Sequence, residues 1–457
     1  MPVAWNLANA KHLLSRSLFG YTRKDLEAAL SFRSAEEFID RQLLADVATP
    51  AAPGPWITET PIANNGVVDA TRYTAMTYWW YDQMLSQKTS MREKMVLFWH
   101  NHFVSARDKV GFPQHLYNQN TLFRKFAWGN VKDLTNAITT DPAMLIYLDG
   151  NNSFRTTPNE NYARELMELF TIGIGNYTEN DVKQSAMAHT GWVVRGLTAV
   201  FDANRWANQP KTFMGQTGNF KHTDITDIIF SKEATSEFIC RKLYTEFVYY
   251  KPNEAFVKQM AKILRDNKFE IKPVLRFMLA SDEFYNDQYR GAKIKSPMEL
   301  TLSALKTFDL IKLVDADWAY LFDATRALQQ QVFYPPSVRG WVGQRDWIST
   351  TTFAQRGGFT DAIVNGKRPN GQVLTLKINA LNYARSYSTA EDAAKLVDDI
   401  VTTFVLFPVT RPKRAFLVET LLDGTIASNW STSTPMADLR IQKLLRAVMR
   451  MPEFQMG

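Results

Sequence analysis

The chain has one cysteine, Cys240, in 457 residues, which excludes an intrachain disulfide and any cysteine-built zinc site. Glycine and proline are modest at 21 and 19, which argues against long disordered tails. No apolar run reaches the roughly 18 residues a membrane-spanning helix needs, so no span is expected. The opening "MPVAWNLANAKHLLSRSLFG" has no basic stretch followed by an apolar one, so it reads as cytoplasmic or as an exported chain without its leader. Charge of one sign is also scarce. The excess of 53 basic over 46 acidic residues is small and spread along the chain, without the clustered basic face that nucleic-acid binding requires. No Gly-x-Ser-x-Gly elbow, Walker loop, His-Glu-x-x-His or dinucleotide fingerprint occurs, so the familiar nucleophile, nucleotide and zinc-protease chemistries have no local support.

Helical periodicity fills most of what is present, and the predicted fold is mainly α, a multi-helix assembly with a small β-hairpin insertion. Thr22, Ser34 and Thr178 stand as N-caps, the last two with an acidic residue three positions on. Residues 46–68 are rich in Pro and Gly and read as a surface excursion. Alternation and turn residues place the hairpin in 193–230, and 368–378 is a weaker strand candidate. The organisation expected is an N-terminal helical region (1–192), the hairpin insertion (193–230) and a C-terminal helical region (231–457), the last carrying a Pro/Gly/Trp loop at 334–359. The segments "VLRFMLASDEF" and "LLRAVMRMPEF" share a core pattern, consistent with a repeated helical unit or with two helices burying similar faces.

The densest group of candidate site residues lies in "TTPNENYARELMELFTIG", Thr156 to Gly173. Thr157-Pro158-Asn159-Glu160 reads as a capping box, which accounts for Glu160 without chemistry. Glu165 and Glu168 lie on one helical face beside the apolar stripe of Tyr162, Leu166, Leu169 and Phe170. If buried, they need a cation or shared protons. A second cluster, "REKMVLFWHNHF", supplies Glu93, His100 and His102. Carboxylates and imidazoles on facing helices build metal sites in bundles, although the usual Glu-x-x-His spacing is missing here. The same residues serve equally as a packed aromatic cluster with bonded ring nitrogens. In "YPPSVRGWVGQRDWI", irregular backbone holds Arg339 and Trp341, which suit an anionic or carbohydrate-like group or plug a loop onto the core.

The ordered motifs "FWHNHF", "PAMLIYLDGNNS", "PNENYARELMELFTIGIGNYTENDV", "HTGW", "IKSPMEL" and "YPPSVRGWVGQRDWI" resemble the bacterial family called domain of unknown function 1800 over nearly the whole chain. The resemblance implies a mainly helical protein, usually exported to a secreted or periplasmic location. It also implies a candidate partner, domain of unknown function 1501, a family similar to sulfatases and alkaline phosphatases. It implies no established reaction. His189 and Trp206 depart from the pattern, the first standing where the family is usually apolar and the second where many members carry histidine.

Two functions are expected from these residues. The first is an enzyme, hydrolytic or metal-dependent, with a pocket between the 90–104 and 157–171 helices. Glu165, Glu168 and His100 would be its catalytic groups, and Asn159, Asn161, Arg339 and Trp341 its substrate-binding groups. His100, His102 and Glu165 would ligate a divalent metal. The second is a non-enzymatic envelope interaction or assembly protein, for which the 13% aromatic content would equally serve.

Overall fold

The computed structural model describes residues 3–62 and 66–457; the expected excursion at 46–68 includes three residues outside that range. The protein is 58% helical, with 22 α-helices and two small two-stranded sheets among the described residues. Antiparallel ribbons pair Trp192–Arg195 with Thr198–Phe201 and Lys211–Phe213 with Gln216–Gly218. The 193–230 insertion thus holds two hairpins where one was expected. Residues 368–378 form no strand. Lys367 and Val373 make a single bridge there, because Gly371 at φ 86 turns the chain before a ladder can extend.

Local caps behave unequally. Thr22 with Asp25 and Thr178 with Asp181 form full capping boxes. Thr157 caps nothing. Its N–H donates to Phe154 C=O, Ser153 Oγ accepts the Asn159 N–H, and the helix starts at Asn161 with Glu160 in the capping position but making no cap bond. A competing side-chain turn upstream displaces the expected start.

One continuous apolar cluster runs from Ala10 to Phe454. The first helix, Leu7–Ser17, shows how the chain closes on itself. Lys11 Nζ donates to Val405 C=O at 2.6 Å, Arg16 Nη2 to Tyr289 C=O at 2.5 Å, and His12 bonds Phe284 C=O at 3.0 Å. Two runs of consecutive packed helices, Glu233–Phe247 to Ile271–Leu279 and Ala393–Phe404 to Ala437–Arg450, each end near a buried phenylalanine, Phe284 or Phe454. The two similar segments of the sequence, ending at Phe284 and Phe454, close these runs.

Helix Arg92–His102 lies inside this core, with eight of its eleven residues buried. Glu93 on its first turn is 2% exposed and accepts two bonds from Arg124, Nε at 2.8 Å and Nη2 at 2.7 Å, plus the Trp80 indole N–H at 3.0 Å. A buried carboxylate is tolerable only with such partners, and removing one strands the other. We expect Glu93→Gln to lose about 3–5 kcal/mol in urea unfolding. The double variant Glu93→Leu/Arg124→Leu should recover a large part of that loss.

Candidate functional site

Three chain-distant segments meet helix Arg92–His102 around a cleft of about 520 Å³. Phe98, Asn101 and His102 come from that helix, Glu168 and Leu169 from the turn Leu166–Thr171, Phe238, Lys242 and Thr245 from helix Glu233–Phe247, and Arg339 and Trp341 from the loop after Tyr334. Four of the sequence-predicted residues therefore share one cavity: His102, Glu168, Arg339 and Trp341. The others do not line it.

The turn Leu166–Thr171 is π-helical, one residue wider per turn than the α-helix before it. Such wide turns concentrate at functional sites because they re-aim a side chain. The Thr171 hydroxyl bonds Leu166 C=O and holds the widened turn. Glu168 is turned to the cleft by it, with the Tyr177 hydroxyl donating to Oε2 at 3.2 Å and Arg339 Nη2 3.8 Å from Oε1. Arg339 is itself largely exposed, so this pair contributes little to stability, on the order of 1 kcal/mol or less, and its guanidinium is available to a ligand. Glu165 is half-buried outside the cleft lining. Burial, and then the neighbouring Glu168 charge, push its carboxyl above the ordinary range.

The histidines do not act as a pair. His100 Nε2 accepts the Phe333 N–H at 3.1 Å, and its ring packs against Trp80, Phe333 and Trp341. His102 Nε2 instead bonds Phe170 C=O at 2.9 Å, so that nitrogen carries the proton. Both Nε2 atoms are engaged by backbone. The grouping of His100, His102 and Glu165 as metal ligands is corrected accordingly: among the described residues, no three His, Cys, Asp or Glu side chains are gathered to hold a metal ion. The aromatic-cluster alternative describes both rings. Nor do Asn159 and Asn161 reach the cleft. Asn159 Oδ1 accepts the Asn161 N–H at 2.9 Å, and Asn161 Nδ2 lies 3.3 Å from Asp149 Oδ2. Glu160 joins Arg164 at 3.3 Å, and Arg164 also grips Glu179.

Sequence reasoning passed over Asn101, the residue between the two histidines. Its Oδ1 accepts the Trp341 N–H at 2.7 Å and its Nδ2 donates to Trp341 C=O at 3.1 Å, so one amide clamps the loop by both backbone groups. Gly340 makes the approach feasible: φ is 73°, and a Cβ there would collide with the Asn101 side chain. The signal was present as Asn between histidines and Gly before Trp, but neither reveals its partner. Phe238 and Lys242 carried no signal at all.

The cavity is lined by both polar and apolar groups. This is a large, mainly α protein with a ligand-sized cleft at a junction of distant segments. The chain belongs to the family described as protein of unknown function (DUF1800), which matches residues 12–456. No curated protein and no solved structure matches it. No helix among the described residues is long and apolar enough to cross a membrane.

Burial lowers the proton affinity of His100 and His102 from the ordinary 6.5 to about 3, with Lys242 adding to the effect at His102. Their folded pKa lies below the unfolded one, so the unfolded chain binds more protons between these values. Their contribution to stability is fully present above pH 6.5 and is lost as pH falls toward 3. His102→Gln keeps a donor for Phe170 C=O but does not titrate. Urea midpoints at pH 7 and pH 4.5 should differ less for this variant than for the wild type.

Proposed function

We propose that the cleft is the substrate site of an exported bacterial enzyme acting by general acid–base chemistry, with hydrolysis as its reaction class. The observation that carries this reading is the placement of Glu168, which the π-turn sets against Arg339 and the Tyr177 hydroxyl in a cavity large enough for a small-molecule substrate. In hydrolysis Glu168 takes the proton of the attacking water and returns it to the leaving group. Arg339 orients a polar or anionic part of the substrate. Trp341, fixed by Asn101, supplies a flat apolar wall. Glu165 stands beside Glu168 as a second carboxyl, held above its ordinary range by burial and then by the Glu168 charge. A panel of chromogenic esters, phosphoesters and glycosides tests the proposal. At least one should be turned over, and Glu168→Gln should lower kcat/KM by about 10²–10⁴-fold without moving the unfolding midpoint. Arg339→Ala should act mainly on KM. Unchanged turnover in Glu168→Gln rejects the assignment.

A second reading is favoured by the lips of the cleft, where Ile174 and Val342 are 75% and 78% exposed. Large apolar side chains rimming a cavity also suit the docking of a partner segment. That reading makes the protein an envelope assembly factor working with a partner of the domain of unknown function 1501 class. Ile174→Asp/Val342→Asp should then abolish co-purification with such a partner. Co-purification undiminished by the double substitution counts against docking at this face.

A further inference from the structure

Behind Trp341 the cleft shares a wall with a second chamber of about 90 Å³, to which Phe98, Asn101, Thr245, Glu246 and Val342 also belong. Its inner side is charged. Lys94 and Lys293, 3% and 9% exposed, both donate to Glu299 Oε1, Lys293 at 3.0 Å. Lys293 also donates to Glu246 at 2.6 Å, and the Ser296 N–H donates to the second oxygen of Glu299 at 2.7 Å. An ammonium has three donors. Lys94 places one on a protein acceptor and Lys293 two, which leaves three N–H bonds without one. Gln330, bonded through Oε1 to the Met298 N–H at 2.9 Å, adds its amide donors to the lining.

The surrounding charge does not balance. Arg16 and Arg356 are each 1% exposed and bond only neutral acceptors, Tyr289 C=O for the first and Lys295 C=O and Gln455 Oε1 for the second. Lys295 sets its ammonium over the Phe454 ring at 4.4 Å and has no carboxylate partner among the described residues. The field of Glu299 reaches all five cations, while Glu246 is the second side-chain carboxylate of the group. Of these cations, Lys94 and Lys293 line the chamber together with Glu246 and Glu299, while the buried Arg16 and Arg356 and the half-buried Lys295 lie outside its lining and add uncompensated positive charge to the surrounding core. Buried positive charge in excess attracts an anion far more strongly than the same charge in water.

We propose that this chamber is an oxyanion subsite that takes a compact carboxylate or phosphate group. The group would be the head of a ligand whose apolar body lies along Phe98, Leu169 and Trp341 in the outer cleft. The chamber is small, and its lining carries the spare donors of Lys94 and Lys293 and the amide of Gln330. The subsite rests on the cleft reading only for where the rest of the ligand lies.

Calorimetric titration of the full chain with inorganic phosphate and with acetate, at ionic strength fixed with chloride, tests this. Saturable binding of one anion per chain is expected, and the preferred anion identifies the head group. Lys94→Met, which leaves Glu299 its Lys293 partner, should weaken binding at least tenfold. Gln344→Glu, on the loop lining the chamber, should weaken it at least fivefold by repulsion without touching the ion network, and decides alone if Lys94→Met does not fold. The surface control Lys262→Met should bind within twofold of wild type. Absence of saturable binding of both anions overturns the proposal, and so does binding that survives Gln344→Glu. Anion binding in a protein that turns over no substrate upholds the subsite and rejects only the catalytic reading.

Discussion

A short helix that carries both a carboxylate and an ammonium into the core constrains everything around it. Helix Arg92–His102 buries Glu93, Lys94, His100 and His102 together, and each finds its partner on a different, distant segment. Glu93 meets Arg124, Lys94 meets Glu299, His100 meets the Phe333 backbone, and His102 meets the Phe170 backbone. Asn101 adds Trp341. Buried polar groups without partners cost several kcal/mol each, about 1–3 in proteins and more for charges, so these five contacts stand or fall together. The helix is less an apolar rod in the core than a hub from which the positions of four other segments are set.

The cleft is a consequence of that arrangement. The π-turn at Leu166–Thr171 is anchored through Phe170 to His102, and the Trp341 loop through Asn101 to the same helix. Between two segments tied to adjacent residues of one helix, space remains that the side chains do not fill. Glu168 and Arg339 face each other across it in a loose pair. On the inner side of the same wall, Lys293 and Lys94 converge on Glu299, whose carboxyl burial alone would raise; the two ammoniums override that and hold it well below the usual range. One wall of Trp341 and Asn101 thus separates a mostly apolar space from a strongly charged one.

Legibility in the sequence followed the range of the interactions. The helices were readable because their apolar period is local, and so were the caps at Thr22 and Thr178, where cap and acceptor are three residues apart. The expected cap at Thr157 failed because Ser153 and Asn159 offered the backbone another local solution. Glu168, Arg339, Trp341 and His102 were singled out from residue type and context, and they do share a cavity. Their companions Asn101, Lys242 and Phe238 were unreadable, because nothing in their neighbourhood says which distant backbone or ring they will meet. The quoted motif "IKSPMEL" contains Lys295, yet Lys293, which stands just before it, reaches the carboxylate. Two residues of offset on an extended stretch do not decide which ammonium finds a pocket.

What the sequence determined by itself is the α-helical class, a small β insertion within residues 193–230 and a short roster of reactive side chains. All of these depend on propensity and periodicity within about a dozen residues. Only the tertiary structure decided that His100 and His102 are engaged by backbone groups, that Glu165 and Glu168 fall into different surroundings, and that Lys94 and Lys293 converge on the buried Glu299. Those outcomes depend on desolvation and on pairing across as many as 233 residues of chain, as from His100 to Phe333, and no local pattern encodes either.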